Sequence, residues 1–268
     1  MSKRTALVTG STSGLGRWLA EALAADGIRV LAHGRDRQRT EQLVAELRAG
    51  GGEAEGYVAD LASLAEVRGL AERIGTEQPS LNILVNNAGV GSAGHRELTV
   101  DGRESHFAVN YLAPYLLTRS LLPTLRAGTP ARVVNVGSIG QSTVDFDDLD
   151  MRRHFDGGTA YSRSKLALAM FSFDLADELR DEDITVVCVH PATYMDTGMV
   201  RDAGIRPWNT VAHGGQATLR VILEPEFAGT SGVFFDEDRI SRAHEDAYDP
   251  ALRARLHEVT EQLLSGNA

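Results

Sequence analysis

The sequence predicts a single α/β domain, a doubly wound parallel sheet with helices on both faces. Short, almost continuously apolar runs alternate with amphipathic stretches along the whole chain. A glycine-rich turn joins the first run to the first amphipathic stretch, and no Pro/Ser-rich linker, low-complexity tract or repeat interrupts the 268 residues. Strands apolar on both faces need a covering layer on each side, and right-handed crossovers then gather the ligand-facing loops at the carboxyl edge of the sheet. One domain spanning residues 1–268 follows.

In chain order, Thr5 to Thr9 reads as the first buried strand, and Leu15, Leu19 and Leu23 recur after it at helical spacing. Ile28 to Ala32 is the second strand, followed by a helix carrying Leu43, Val44 and Leu47. Tyr57 to Ala59 is a short third strand, with Leu64, Val67, Leu70 and Ile74 marking the next helix, and Leu81 to Val85 is the fourth. A long helical region is predicted from about Val100 to Leu125. Arg132 to Val136 and Ile184 to Val189 are the fifth and sixth strands, and Gly232 to Phe235 the last. A C-terminal helix over about 250–264 is predicted from Asp249 as N-cap, Pro250 at the first helical position, and the stripe Leu252, Leu256, Val259, Leu263, which should pack on the body.

A formal charge of -10 argues against non-specific binding to nucleic acid or an anionic membrane. The lone Cys188 cannot form an internal disulfide and lies in an apolar run, which points to a buried thiol and a cytoplasmic location. The first strand begins near Arg4, so neither a signal peptide nor a membrane anchor is expected. The eight histidines lack metal-ligand spacing, and Asp145, Asp147, Asp148 and Asp150 have no companion ligands, so no metal site is expected.

Gly10-Ser11-Thr12-Ser13-Gly14-Leu15-Gly16 closes the first strand and opens the first helix. Such a turn brings a diphosphate close to the backbone at a helix N-terminus. At the end of the second strand, where an NAD site presents an acid to the ribose, stands Gly34 followed by Arg35, a partner for a 2′-phosphate; NADP(H) is expected, with NAD(H) the alternative. Asp60 after the third strand should meet the adenine edge, and Asn86-Asn87-Ala88-Gly89 offers small residues and backbone donors beneath the ribose.

Tyr161 and Lys165 are four residues apart, one turn on one helical face. A fixed cation there should lower the phenol pKa toward neutrality, where a general acid/base works best. The chain uses arginine almost throughout, and its only lysines are Lys3 and Lys165, so a compact point charge is indicated at 165.

Taken together, the Thr9-to-Gly16 turn, Asn86 to Gly89, Asn110, Ser138, and Tyr161 with Lys165 resemble the short-chain dehydrogenase/reductase family and its Rossmann fold across nearly the whole chain. Thr99 to Gly102, Phe107 to Asn110, Asp145 to Leu149, Gly232 to Phe235 and Asp249 to Leu252 resemble its retinol-dehydrogenase-like branch. The resemblance implies Tyr161 as proton donor or acceptor and Ser138 as partner of the substrate oxygen. Lys165 would hold the nicotinamide ribose and lower the tyrosine pKa, and Asn110 would hold a water linking the lysine to solvent. Cofactor contacts are implied at Gly10, Ser11, Ser13, Gly14, Leu15, Gly16, Arg35, Asp60, Leu61, Asn87, Ala88, Gly89, Pro191, Thr193 and Thr197, besides Tyr161 and Lys165.

Two positions depart from the family pattern. Ala192 follows Pro191 where glycine is usual, which should narrow the nicotinamide pocket or shift the 193–197 loop, and Gly137 stands where a second serine is common. Residues 192–212 correspond to the substrate loop. Its Met195, Met199, Ile205 and Trp208 suggest a partly hydrophobic small-molecule carbonyl or alcohol, while Arg201 and Arg206 leave an anionic group open. The implied assembly is a homodimer or homotetramer through the helices around Asn110 to Leu125 and Tyr161 to Leu179. The expected activity is thus NADP(H)-dependent interconversion of a carbonyl and an alcohol. Its rivals are an NAD-dependent alcohol dehydrogenase and a non-catalytic dinucleotide-sensing protein on the same fold. A sugar-nucleotide epimerase or dehydratase needs more chain after Phe235 than is present.

Overall fold

Strand β1 (Thr5–Val8) is buried throughout and pairs in parallel with β2 (Arg29–Gly34) on one side and β4 (Ile83–Asn86) on the other. A computed structural model of the protein describes residues 3–91 and 94–266. With β3 (Ala54–Val58), β5 (Ala131–Val136), β6 (Ile184–His190), β7 (Val233–Asp236) and β8 (Arg239–Ser241), the order is β3-β2-β1-β4-β5-β6-β7-β8. All pairings are parallel except β7–β8. The order reverses between β1 and β4, which opens a crevice at their carboxyl ends.

Alternation along each strand feeds two cores. Leu7 and Phe234 face one core, with helices α3 (Leu64–Glu77), α5 (Ala113–Ala127) and α6 (Gly157–Glu178). Ala6, Val8 and Phe235 face the other, with α1 (Gly14–Ala25), α2 (Arg37–Ala49) and α8 (Val211–Leu223). Phe234 and Phe235 are each essentially fully buried, and truncating either to alanine should cost about 3–5 kcal/mol.

The predicted strands are present, with β3 starting earlier, at Ala54. Strand β8 gave no signal in the sequence because it is three residues long and exposed along its length. The long helical region starts at Ser105 rather than Val100: Gly102 turns the chain at φ +73°, and the Glu104 carboxylate then accepts from the Phe107 amide. Helix α4 (Ser105–Phe107) runs into a π-helical turn, Ala108–Leu112, before α5 begins. A π turn inserts one extra residue into the helix and redirects the side chains on it; Asn110 sits within it.

Asp249 caps the C-terminal helix α9 (Pro250–Leu264) as predicted, and α9 packs on the body through Leu256. Short helix α7 (Gly198–Asp202) lies in the substrate loop. Helix α9 lies against the two helices expected to carry the assembly face. The Tyr111 hydroxyl meets Thr260 Oγ1 at 2.6 Å, Tyr115 donates to Glu261 at 2.6 Å, and Arg253 pairs with Asp177 at 2.9 Å. Burial of Leu256 thus seats α9 on part of the surface formed by residues 110–125 and 161–179. Among the described residues no helix is long and apolar enough to cross a membrane.

Candidate active site

The crevice floor is built where side chains are impossible. At Gly10, with φ +64°, an added Cβ would lie 2.9 Å from Ala88 Cα, and at Gly16 it would lie 2.4 Å from both Asn87 Nδ2 and the Gly10 carbonyl oxygen. Only glycine lets the two turns approach this closely. The N-cap of α1, Ser13, makes no side-chain cap, so the first-turn amides are available to an outside acceptor. Thr197 lies over the turn, its Cγ2 3.3 Å from where a Cβ on Gly14 would stand. This cradle fits a dinucleotide diphosphate at Gly10, Ser13, Gly14, Leu15 and Gly16.

Several predicted contacts have other duties. Ser11 is fully buried, and both its amide and hydroxyl donate to the His33 carbonyl, at 2.8 and 3.1 Å, so its hydroxyl is not a phosphate ligand. The amides of Asn87 and Ala88 both donate to Thr9 Oγ1, at 2.9 and 3.0 Å, and Asn87 Nδ2 donates to the Thr9 carbonyl at 2.8 Å. These groups lock the fourth-strand loop to the glycine turn and are not donors beneath a ribose. Thr9, at the carboxyl end of β1, was missed as the organiser of this joint; its only sequence signal is a hydroxyl immediately before the glycine turn.

Gly34 ends β2 against Thr12 and Thr40: an added Cβ would lie 2.5 Å from Thr12 Cγ2 and 2.8 Å from Thr40 Oγ1, so no acidic side chain fits at this position. Arg35 beside it is exposed and pairs with no acid among the described residues, whereas Arg37 pairs with Glu41. One carboxylate oxygen of Asp60 accepts from the Ala62 amide at 2.9 Å, and Leu61 is buried in the core.

Helix α6 carries Tyr161 and Lys165 and is capped by Asp156, whose carboxylate accepts from the Thr159 amide at 2.7 Å. Lys165 is buried; its Nζ donates to the Val136 carbonyl at 2.8 Å and stands 5.6 Å from the centroid of the Tyr161 ring. Burial lowers the ammonium pKa to about 8. The phenol pKa moves opposite to expectation. Burial raises it, and the contact with the Ser138 hydroxyl, not the lysine, pulls it back. The reason is geometric, since the ammonium is turned to the Val136 carbonyl instead of the phenolic oxygen.

Asn110 is held on both sides by neighbouring groups. Its Oδ1 accepts from the Val90 amide at 2.8 Å, and its Nδ2 donates to the Val90 carbonyl and Ser164 Oγ at 3.1 and 3.0 Å. Both side-chain N–H groups are used in positioning the fourth-strand loop, and Oδ1 keeps one lone pair for a further donor such as a water. An added Cβ on Gly89 would lie 3.0 Å from Asn110 Oδ1 and 3.7 Å from Lys165 Nζ, so Gly89, Asn110 and Lys165 converge. Ser138, Tyr161 and Lys165 close the other wall, and the Ser138 hydroxyl accepts from the Gly140 amide at 3.0 Å.

Both departures have steric explanations. A Cβ on Gly137 would lie 2.5 Å from Cys188 Sγ, so a second serine does not fit. Cys188 is a core thiol pushed up to about 12 by burial. Ala192 is buried with its methyl toward Gly214 of α8, where an added Cβ would stand 3.3 Å away. A glycine on the helix thus compensates for the alanine on the strand loop. Within that loop Thr193 Oγ1 lies 3.0 Å from His190 Nε2, and Thr197 caps α7. Met195 is packing, placed against α8. Met199 reaches across to Gly91, while Tyr194 and Trp208 meet edge to face at 4.9 Å and stay exposed. Arg201 is paired with Asp196 at 3.2 Å; Arg206 is exposed.

The family model described as short chain dehydrogenase matches residues 4–207. Retinol dehydrogenase 14 of Mus musculus is 33% identical, over 98% of this chain and 86% of its own length. Polyprenol dehydrogenase of the same organism is 37% identical, over 94% and 81%. The Pseudomonas aeruginosa RhlG/NADP active-site complex is 29% identical with a TM-score of 0.73, covering 89% of this chain and 96% of that one.

Proposed function

Because this chain belongs to the short-chain dehydrogenase family and is an oxidoreductase of it, we propose that it uses NADP(H) to interconvert an apolar carbonyl, ketone or aldehyde, with its alcohol. The observation that carries the reading is the meeting of the Ser138 hydroxyl, the Tyr161 phenol and the buried Lys165 ammonium beside Gly89. The nicotinamide supplies or takes up the hydride. Negative charge that develops on the substrate oxygen is met by the Ser138 and Tyr161 hydroxyls, and Tyr161 exchanges the proton. With its pKa raised, the phenol is protonated at neutral pH, the form that donates to a carbonyl oxygen. Lys165 adds a fixed charge beneath it.

Exposed Arg35 and the absence of room for an acid at Gly34 support NADP(H) over NAD(H), and RhlG was solved with NADP. Tyr194, Met199 and Trp208 present apolar surface on the substrate loop. Together with relatives that act on retinol and polyprenol, they support a long isoprenoid alcohol or its aldehyde as the substrate class. The single thiol, buried and inert, supports a cytoplasmic location.

The test is NADPH and NADH oxidation across retinaldehyde, a polyprenal, shorter aldehydes, ketones and quinones. Faster turnover with NADPH and the isoprenoid aldehydes is expected, and Arg35→Ala should reduce the preference for NADPH about tenfold. Dinucleotide binding without turnover on any member would refute the enzymatic reading in favour of a dinucleotide sensor.

A further inference from the structure

We propose that His33 is the positioning residue for the adenosine half of the cofactor site: without touching the cofactor, its imidazole fixes the turns after β1 and β3 relative to each other. This rests on the dinucleotide reading above. His33 is 2% exposed and lies on β2 between those two turns. Nδ1 accepts from the Gly10 amide at 3.2 Å, and Nε2 faces the Ala59 carbonyl at 3.1 Å. Only one neutral tautomer satisfies both contacts, with the proton on Nε2 and the lone pair on Nδ1. Burial keeps the ring in that form by lowering its pKa to about 4. The His33 carbonyl meanwhile holds Ser11 through two donors.

One residue thus holds positions 10 and 11 of the glycine turn and position 59, next to Asp60. The Gly10 amide it grips belongs to the residue with φ +64° against which Ala88 is packed. A phosphate meets the first amides of α1 well only if that turn is already in place, and the ring supplies the acceptor that keeps it there. Without the imidazole a half-buried N–H and a buried C=O lose their partners together, and the turns become free to shift. A ring that merely filled core volume would affect stability and leave the affinity of the folded protein unchanged.

The experiment measures binding of NADPH, and of adenosine 2′,5′-bisphosphate as a probe of the adenosine half alone, to the full chain by fluorescence titration, alongside thermal melts. In His33→Leu both ligands should weaken by the same factor, about tenfold or more. His33→Asn, which restores an acceptor toward the Gly10 amide, should recover most of the loss. A folded Leu variant that binds both ligands within about twofold of wild type, with only its melting temperature lowered, overturns the proposal. So does a loss confined to NADPH with the bisphosphate unaffected. If the Leu variant does not fold, His33→Gln replaces it: it reaches toward Ala59 but leaves Gly10 unpaired. Binding weaker than in the Asn variant supports the proposal, and equal binding overturns it. A wild-type protein that binds neither NADPH nor NADH refutes the dinucleotide reading itself, and this inference with it.

Discussion

The glycine turn and the substrate loop face each other across the same crevice and are built in opposite ways. In the turn, amide, carbonyl and hydroxyl groups are bound to one another through Thr9, His33 and Asn87, and even one added methyl has no space. In the loop, Trp208 is 72% exposed, Tyr194 stands at φ +45°, and Gly204 has no atom within 4 Å of where a Cβ would project. A constant ligand can be met by a prebuilt lattice, whereas a variable one is met by surfaces able to repack. The two regions should therefore respond differently to substitution.

The largest effect is expected where they meet. Tyr161→Phe removes the exchangeable proton and leaves the lattice alone, so turnover should fall by about 10²–10⁴-fold with NADPH affinity nearly unchanged. Steady-state rates beside a binding titration check this. Equal losses in both would mean that Tyr161 belongs to the cofactor lattice, not to the chemistry.

A matched pair of glycine substitutions sharpens the contrast. Gly16→Ala forces a methyl to within 2.4 Å of Asn87 Nδ2 and the Gly10 carbonyl, and should cost about 1–3 kcal/mol by denaturant unfolding, together with NADPH affinity. Gly204→Ala projects into open space but at φ +69°, so only its backbone strain counts, about 1 kcal/mol, with affinity unchanged. Similar losses of NADPH affinity in both would erase the distinction.

The same difference explains what could be read without coordinates. Glycines forced by close approach leave fixed spacings, so Gly10, Gly14 and Gly16, the buried strands along the chain and the Tyr161/Lys165 face were all legible. Asn110 was legible as a position, but its bonds to Val90 were not, because the π turn at Ala108–Leu112 that aims it there has no counterpart in hydrophobic periodicity. Thr9 and His33 act through paired hydrogen bonds to backbone groups far along the chain, which no local pattern encodes. The sign of the Tyr161 shift was misread because helical spacing places two residues on one face without saying which acceptor an ammonium chooses.

That choice sets the pH profile. Lys165, lowered by burial to about 8, is charged below that value and neutral above it, while Tyr161, raised, stays protonated further into the alkaline range. Reduction should therefore be flat at neutral pH and fall by about tenfold per unit above the lysine pKa, before the phenol itself ionises. Alcohol oxidation, which needs the phenol deprotonated, should reach its maximum only at higher pH, where the raised phenol ionises. Lys165→Met should lower the plateau and remove the first limb; a limb that persists in that variant belongs to another group.

The smallest effect is expected at the exposed end of the loop. Trp208 packs edge-on against Tyr194 but gives most of its ring to solvent, so Trp208→Ala should change unfolding stability by no more than about 0.5 kcal/mol. If the ring meets the substrate, the same substitution should raise KM for retinaldehyde severalfold while leaving KM for NADPH and for a short aldehyde unchanged, because a short chain ends before reaching it. A uniform rise for every carbonyl would mean that the substitution had disturbed the Met195-to-Asn209 pairing at the base of the loop, and that the loop is more tightly coupled to the lattice beneath it than its exposure suggests.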